Sequence, residues 1–221
     1  MSNGTGETAD VTVVFSRTDA GGGAMDTVTR TVEGLAPGAV SKGRVELGGT
    51  TSGVKVLKVR SVPSAEASRP KGPCPASGVL VSVDEGAAAM GLRTAGLNLR
   101  NCGTAEVTLN GYPALQVLDA ERKPVDGVQV VHGGAEIASG TGADAPPREV
   151  VLKPGESAGS TLVWRNTTGA GDPVNAPYVR VRAMPGAAPV TVTPELDLGT
   201  TGRLGVGAWV RDEAGAPAPG R

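Results

Sequence analysis

Aromatic side chains are nearly missing from this chain. Phe15, Tyr112, Trp164, Tyr178 and Trp209 are the only ones among 221 residues, so any core must be aliphatic. Histidine is represented once, by His132, and cysteine twice, by Cys74 and Cys102. That leaves few nucleophiles, bases or soft metal ligands, and the expectation is a protein that is not an enzyme. An excess of charge is also absent: 21 basic against 22 acidic side chains give a formal charge of -1. No block of like charges stands out, so no field gathers nucleic acid or anionic lipid. No apolar run reaches the length of about 18 residues that reads as a membrane-spanning helix. The first residues lack the basic start and apolar stretch of a signal peptide. Residues 1–9, rich in Gly and Thr, read instead as a flexible leader. With an even cysteine count, this favours a secreted or cell-surface anchored protein whose signal segment is not in the given chain.

Glycine and proline are plentiful, at 34 and 17 residues. They disfavour helix and punctuate short alternating runs, the pattern of an all-β protein. Val11–Arg17, Asp26–Gly34, Gly43–Gly49 and Gly53–Val62 read as strands of a small β subdomain, residues 10–63. A Pro-rich linker follows over 64–73. Further strands are expected at Gly78–Asp84, Gly91–Asn101, Ala105–Leu109, Ala114–Asp119, Gly127–His132, Arg148–Leu152, Ser160–Trp164, Tyr178–Met184 and Val190–Pro194. That count suits an immunoglobulin-like β-sandwich over residues 74–210. Residues 211–221 read as a disordered tail.

The two regions can be laid on each other. Leu35-Ala36-Pro37-Gly38 matches Leu152-Lys153-Pro154-Gly155, and Lys58–Pro63 matches Arg180–Pro185; upstream, the run from Val11 sets against the run from Leu115. The small subdomain thus reads as half a sandwich lacking its first strands, although an aliphatic-x-Pro-Gly turn is also common chemistry in any β protein. Four short strands bury too little to offset about 1–2 kcal/mol of backbone entropy per residue. The missing strands are expected from the rest of the chain or from a second molecule, by strand exchange or oligomerisation.

Cys74 and Cys102 are placed symmetrically about Ala88, the centre of an expected turn between Gly78–Asp84 and Gly91–Arg100. A symmetric hairpin register would bring them together as a disulfide restricting the unfolded chain by about 3.6 kcal/mol. Two reduced, buried thiols are the alternative.

The stretch LNLRNCGTAEVTLNGYPALQVLDA, with VVLKPGESAGSTLVWRN and VRVRAMPGAAPVTVTPELDLG, resembles a secreted and lipoprotein module of actinobacteria, the domain of unknown function 4232. The residues that carry the likeness are Asn101, Gly111-Tyr112-Pro113, Asp119, Pro154-Gly155 and Leu162/Trp164. The family's usual cysteine two residues before Leu109 is replaced here by Val107, with Cys102 standing nearby. The resemblance implies an exported immunoglobulin-like sandwich and no activity.

Several motifs tempt a catalytic or binding reading. Gly155–Gly159 satisfies G-x-S-x-G around Ser157, but a nucleophile elbow needs a helix after its serine and the only histidine lies upstream. Gly140–Ala145 fits a dinucleotide fingerprint whose helix Pro146-Pro147 would block. His132 alone cannot hold zinc. Asp144, Asp172 and Asp197 could serve calcium, yet none has the spacing of a calcium loop. Asn166-Thr167-Thr168 matches the glycosylation triplet and marks an exposed loop. No cofactor and no metal is expected. Trp164 reads as core, and Tyr112 as a strand-start ring packed inward with its hydroxyl on backbone. Tyr178 and Trp209 remain as candidate ligand contacts. The expected function is a non-enzymatic extracytoplasmic interaction or structural module, with a protein partner or cell-wall component as its target. A carbohydrate-binding module is the alternative and a hydrolase a distant third.

Overall fold

The computed structural model describes residues 1–19, 21–46 and 53–212. Every regular element among them is a β-strand, so the fold is all-β. Among the described residues no helix is long and apolar enough to cross a membrane. The chain divides into two units, Met1–Ala67 and Ser68–Arg221, with the division inside the expected linker.

Unit one is a single antiparallel sheet of three long strands, β1 (Ala9–Thr18), β2 (Ala24–Leu35) and β3 (Gly53–Pro63), with β1 in the middle. Val recurs in all three and Thr in β1 and β2, branched side chains that suit a pleated surface. The expected strand Gly43–Gly49 is not formed over its described part, since residues 43–46 carry no regular structure and 47–49 lie outside the described residues. Only two aliphatic side chains, Val45 and Leu47, were on offer to hold it. The leader is a second correction, because residues 1–9 are tied down rather than flexible. Asn3 is buried, its Nδ2 donating to the carbonyls of Glu7 and Leu35 at 2.8 and 2.7 Å while Oδ1 accepts from Thr5. The Met1 amino group donates to the Ser41 carbonyl at 2.7 Å. A buried amide that satisfies two carbonyls and an N–H is costly to expose, so it fixes the segment.

Unit two contains β4 (Val79–Val83), β5 (Ala87–Ala89), β6 (Leu92–Asn101), β7 (Val107–Asn110), β8 (Ala114–Leu118), β9 (Gln129–His132), β10 (Glu149–Leu152), β11 (Ser157–Arg165), β12 (Val174–Ala176), β13 (Tyr178–Arg182), β14 (Val190–Val192), β15 (Leu196–Gly199), β16 (Arg203–Val206) and β17 (Val210–Arg211). The large sheet runs β4-β6-β11-β16-β9, with β5 beside β6 and β17 beside β11. Its last pair, β16 with β9, is parallel. Smaller sheets are β14-β13-β8, β10-β7 and β12-β15. The core joins Leu97, Leu99, Leu162, Trp164 and Leu204 of the large sheet to Val117, Val179, Leu109, Leu152 and Leu196 of the smaller ones. Strands β5, β12, β15 and β17, of two to four residues each, were not anticipated.

Hairpin symmetry fails by two residues, yet the disulfide forms. Ala89 pairs with Leu92 across Met90-Gly91, both at positive φ, and β4 pairs with β6 as Val79 with Asn101, a register centred on residue 90 rather than Ala88. Between β4 and β5, Asp84 Oδ1 accepts from the N–H groups of Gly86 and Gly96, closing a break in the edge strand. The compensating turn is Pro75–Gly78, whose Gly78 carbonyl accepts from Cys102 and Gly103. It brings Cys74 back to bond Cys102, with Cα atoms 5.6 Å apart. Of the internal repeat, one pairing recurs: β1 lies antiparallel to β3 as β8 does to β13, with the register shifted by two residues. The rest does not, because β2 pairs with β1 whereas β10 pairs with β7.

Candidate functional site

The residues shared with the resembled family prove to be clamps. Asn101 ends β6 fully buried, its Nδ2 donating to Ala105 and Leu152 carbonyls at 2.8 and 2.9 Å and its Oδ1 accepting from Gly103 N–H at 3.0 Å. It joins β6, the following loop and β10. Pro154 and Gly155 form the turn Lys153–Glu156, with Gly155 at φ 89° and its N–H on the Asn101 carbonyl. Only a residue without a Cβ takes that φ freely. Trp164 is core, as its pattern implied, and its indole N–H donates to Asp197 at 2.8 Å.

Glu156 secures the last strand. Its carboxylate accepts from the Lys153 N–H at 2.7 Å and pairs with Arg211 at 2.6 Å, while Arg211 also reaches the Val151 carbonyl. The Lys153 N–H first, then the Arg211 charge, hold the carboxyl below the usual glutamate range.

Both aromatic residues kept as candidate ligand contacts are buried. Tyr178 is 3% exposed and Trp209 1%. The chain leaves β16 and binds back through Gly207 N–H on the Thr161 carbonyl. It then turns inward so that the Trp209 N–H meets Gly111 and the indole meets the Ala183 carbonyl. Tyr112 departs from expectation in the other direction. Its ring lies flat on exposed His132, with centroids 4.0 Å apart and planes 6° from parallel, rather than packing inward. Gly111 at φ 72° and buried Pro113 shape the turn that places it.

A concavity lies elsewhere, on the outer face of the large sheet. A groove of about 610 Å³ crosses β4, β6, β11 and β17, walled by Pro70 and by Gly142 and Ala145. Register fixes its floor. One row is Leu80, Arg100 and Ser157; the next is Ser82, Asn98, Gly159 and Val210; a third is Gly96 and Thr161. Alternation along β6 turns Leu97 and Leu99 to the core and Asn98 and Arg100 to the groove. Two glycines lower the floor for different reasons. A Cβ on Gly96 would collide with the Asp84 carboxylate, so that glycine serves the strand break. Gly159 has no such need, since the nearest atom to a Cβ there is the Leu97 carbonyl oxygen at 3.9 Å. Glycine weakens a strand interior and marks places where something approaches the backbone closely. The period-2 pattern of β6 and a glycine inside β11 were the signals in the sequence; that they share one groove was not readable.

Ser157 of the G-x-S-x-G run begins strand β11, where an elbow would require a helix to follow. Asp197, a calcium candidate, is engaged by Trp164, Asn166 and Arg93, and Asp144 accepts from the Gly134 N–H. Asp172 sits in an exposed loop. Among the described residues no three His, Cys, Asp or Glu side chains gather as a metal site.

The model of the family described as "Domain of unknown function (DUF4232)" matches residues 74–210. No curated protein and no solved structure matches the chain.

Proposed function

The chain belongs to the family of the domain of unknown function DUF4232 through residues 74–210, and from that premise we propose that it is a non-enzymatic, extracytoplasmic interaction module whose groove holds an extended polypeptide segment. The groove itself carries the reading. Its floor offers hydroxyl, amide and guanidinium groups from Ser82, Asn98, Arg100, Ser157 and Thr161, with Leu80 and Val210 as apolar contacts. Convergent polar groups in a concavity fix a ligand's orientation. No aromatic ring lines it, which disfavours a sugar, whose apolar faces are best held by exposed rings. An immunoglobulin-like arrangement of the strands is part of the same proposal. The exported setting is supported by the exposed Cys74 end of the disulfide, a bond that persists in oxidising compartments.

Panning random linear peptides on the full chain tests this. Peptides should enrich on the native protein and not on Gly159→Val, with the melting temperature of the variant unchanged. Equal capture by both proteins, or no enrichment, would count against it. The carbohydrate alternative keeps one supporting feature, the stack of half-buried Tyr112 on exposed His132. Retention on purified peptidoglycan that Tyr112→Ala abolishes would favour it.

A further inference from the structure

The sheet of unit one ends in two unlike edges. With β1 in the middle, β2 and β3 each hydrogen-bond it on one side, and among the described residues no strand lies on their other side. The open side of such a strand is a row of backbone donors and acceptors, which sheets protect with charged side chains, lysine above all, and with proline. β3 has that protection: Lys55, Lys58 and Arg60 are all basic, and Pro63 closes the strand. β2 does not. It is the longest strand described, from Ala24 to Leu35, is exposed over most of its length, and holds neither lysine nor proline. Its charges, Asp26, Arg30 and Glu33, are of both signs, and Thr27, Val28, Thr29, Thr31 and Val32 between them favour a strand.

We propose that β2 is a homodimer edge, to which β2 of a second copy adds antiparallel so that the two sheets become one. Symmetry restricts the register. Side chains alternate between faces, so a two-fold axis normal to the sheet keeps facing residues on one face only when it passes through a residue. Of the centres from Asp26 to Val32, Val28 is the one that sets opposite charges face to face. There Val28 meets Val28 of the second copy, Thr27 meets Thr29, and Asp26 meets Arg30 on either side of the axis. Centring on Arg30 would oppose two guanidinium groups and centring on Asp26 two carboxylates, while the remaining centres set both charges against uncharged residues. Opposite charges and Thr with Thr are stabilising cross-strand pairs, whereas like charges directly opposite are destabilising. Arg30 has no ion pair or hydrogen bond among the described residues, and Asp26 binds Arg17 through Oδ2 at 3.0 Å, which leaves Oδ1 for a second cation. Pairing of Ala24–Val32 with its copy would form about eight to ten backbone hydrogen bonds. Two copies of β3 would instead bring only basic side chains together.

The test is sedimentation equilibrium of the full chain from about 1 to about 100 µM, where a dimer doubles the mass as concentration rises. Arg30→Asp sets carboxylate against carboxylate and Asp26→Arg guanidinium against guanidinium, so each should weaken self-association at least about tenfold. An equimolar mixture of the two variants restores opposite charges at both positions and should associate as the native chain does. Circular dichroism should report a native strand spectrum for each protein. If Asp26→Arg fails to fold, Val28→Cys should form an intermolecular disulfide under oxidation that Thr31→Cys does not, because Val28 alone meets its own copy. A monomer throughout the range would overturn the proposal. So would a dimer that Arg30→Asp leaves unchanged, a mixture no tighter than its components, or equal cross-linking through Val28→Cys and Thr31→Cys.

Discussion

The two units solve the same problem with opposite means. Unit one has the longer strands, ten to twelve residues each, and leaves Val54, Val56 and Val59 about half exposed. Unit two has many strands of five residues or fewer, yet Leu97, Leu162, Val179 and Leu204 have no exposure at all. Strand length therefore does not decide burial. A sheet buries apolar surface only against another layer, and unit two has several sheets contributing to one core, whereas burial in unit one is confined to Val11 and Val13 of the middle strand and to strand-end residues such as Leu35 and Val62. Polar devices divide in the same way. Asn101 in unit two and Asn3 in unit one are both buried amides spanning distant backbone, but Asn101 anchors a core whereas Asn3 anchors a chain start.

The largest effects should come from truncating rings in unit two. Trp164→Ala and Trp209→Ala are each expected to cost about 3–5 kcal/mol in chemical denaturation, whereas Val59→Ala in unit one should cost about 1 kcal/mol or less. Comparable losses at Val59 would erase the contrast. Next comes the disulfide, whose loss by Cys74→Ser with Cys102→Ser should destabilise by about 3.6 kcal/mol. A variant pair that melts with the native protein would mean the unfolded chain gains nothing from its release. Asn101→Ala leaves two carbonyls and an N–H without partners and is expected to cost about 3 kcal/mol. Asn101→Asp keeps the acceptor but loses both donors, so it should recover little.

The smallest predicted effect is a pH dependence at the end of unit two. Folding lowers the Glu156 pKa below its ordinary value of 4.5. A depressed carboxylate stabilises the folded state above its unfolded pKa, and that contribution is lost as pH falls through the folded value. The melting temperature of Glu156→Gln should therefore lie slightly below native at pH 6 and converge with it in acid. Arg211→Ala should raise the Glu156 pKa only in part, because the Lys153 N–H is the larger cause. Convergence at neutral pH would show that neither contact matters.

Local chemistry was legible wherever it was self-contained. Alternating Val, Thr and Leu announced β1, β3, β6 and β13; the Pro154-Gly155 turn and the core role of Trp164 followed from neighbours a few residues away. Two cysteines separated by 28 positions could be paired, though the assumed hairpin centre was two residues off. What only the tertiary structure decided depends on strands distant in the chain. Burial of Tyr178 and Trp209, the parallel pairing of β16 with β9, and the stacking of Tyr112 on His132 each need partners that no local period encodes. The groove is the clearest case, since Ser82, Asn98, Gly159 and Val210 form one row only after four strands take their places. Period and turn chemistry are properties of adjacent residues, whereas a surface is a property of register between distant ones.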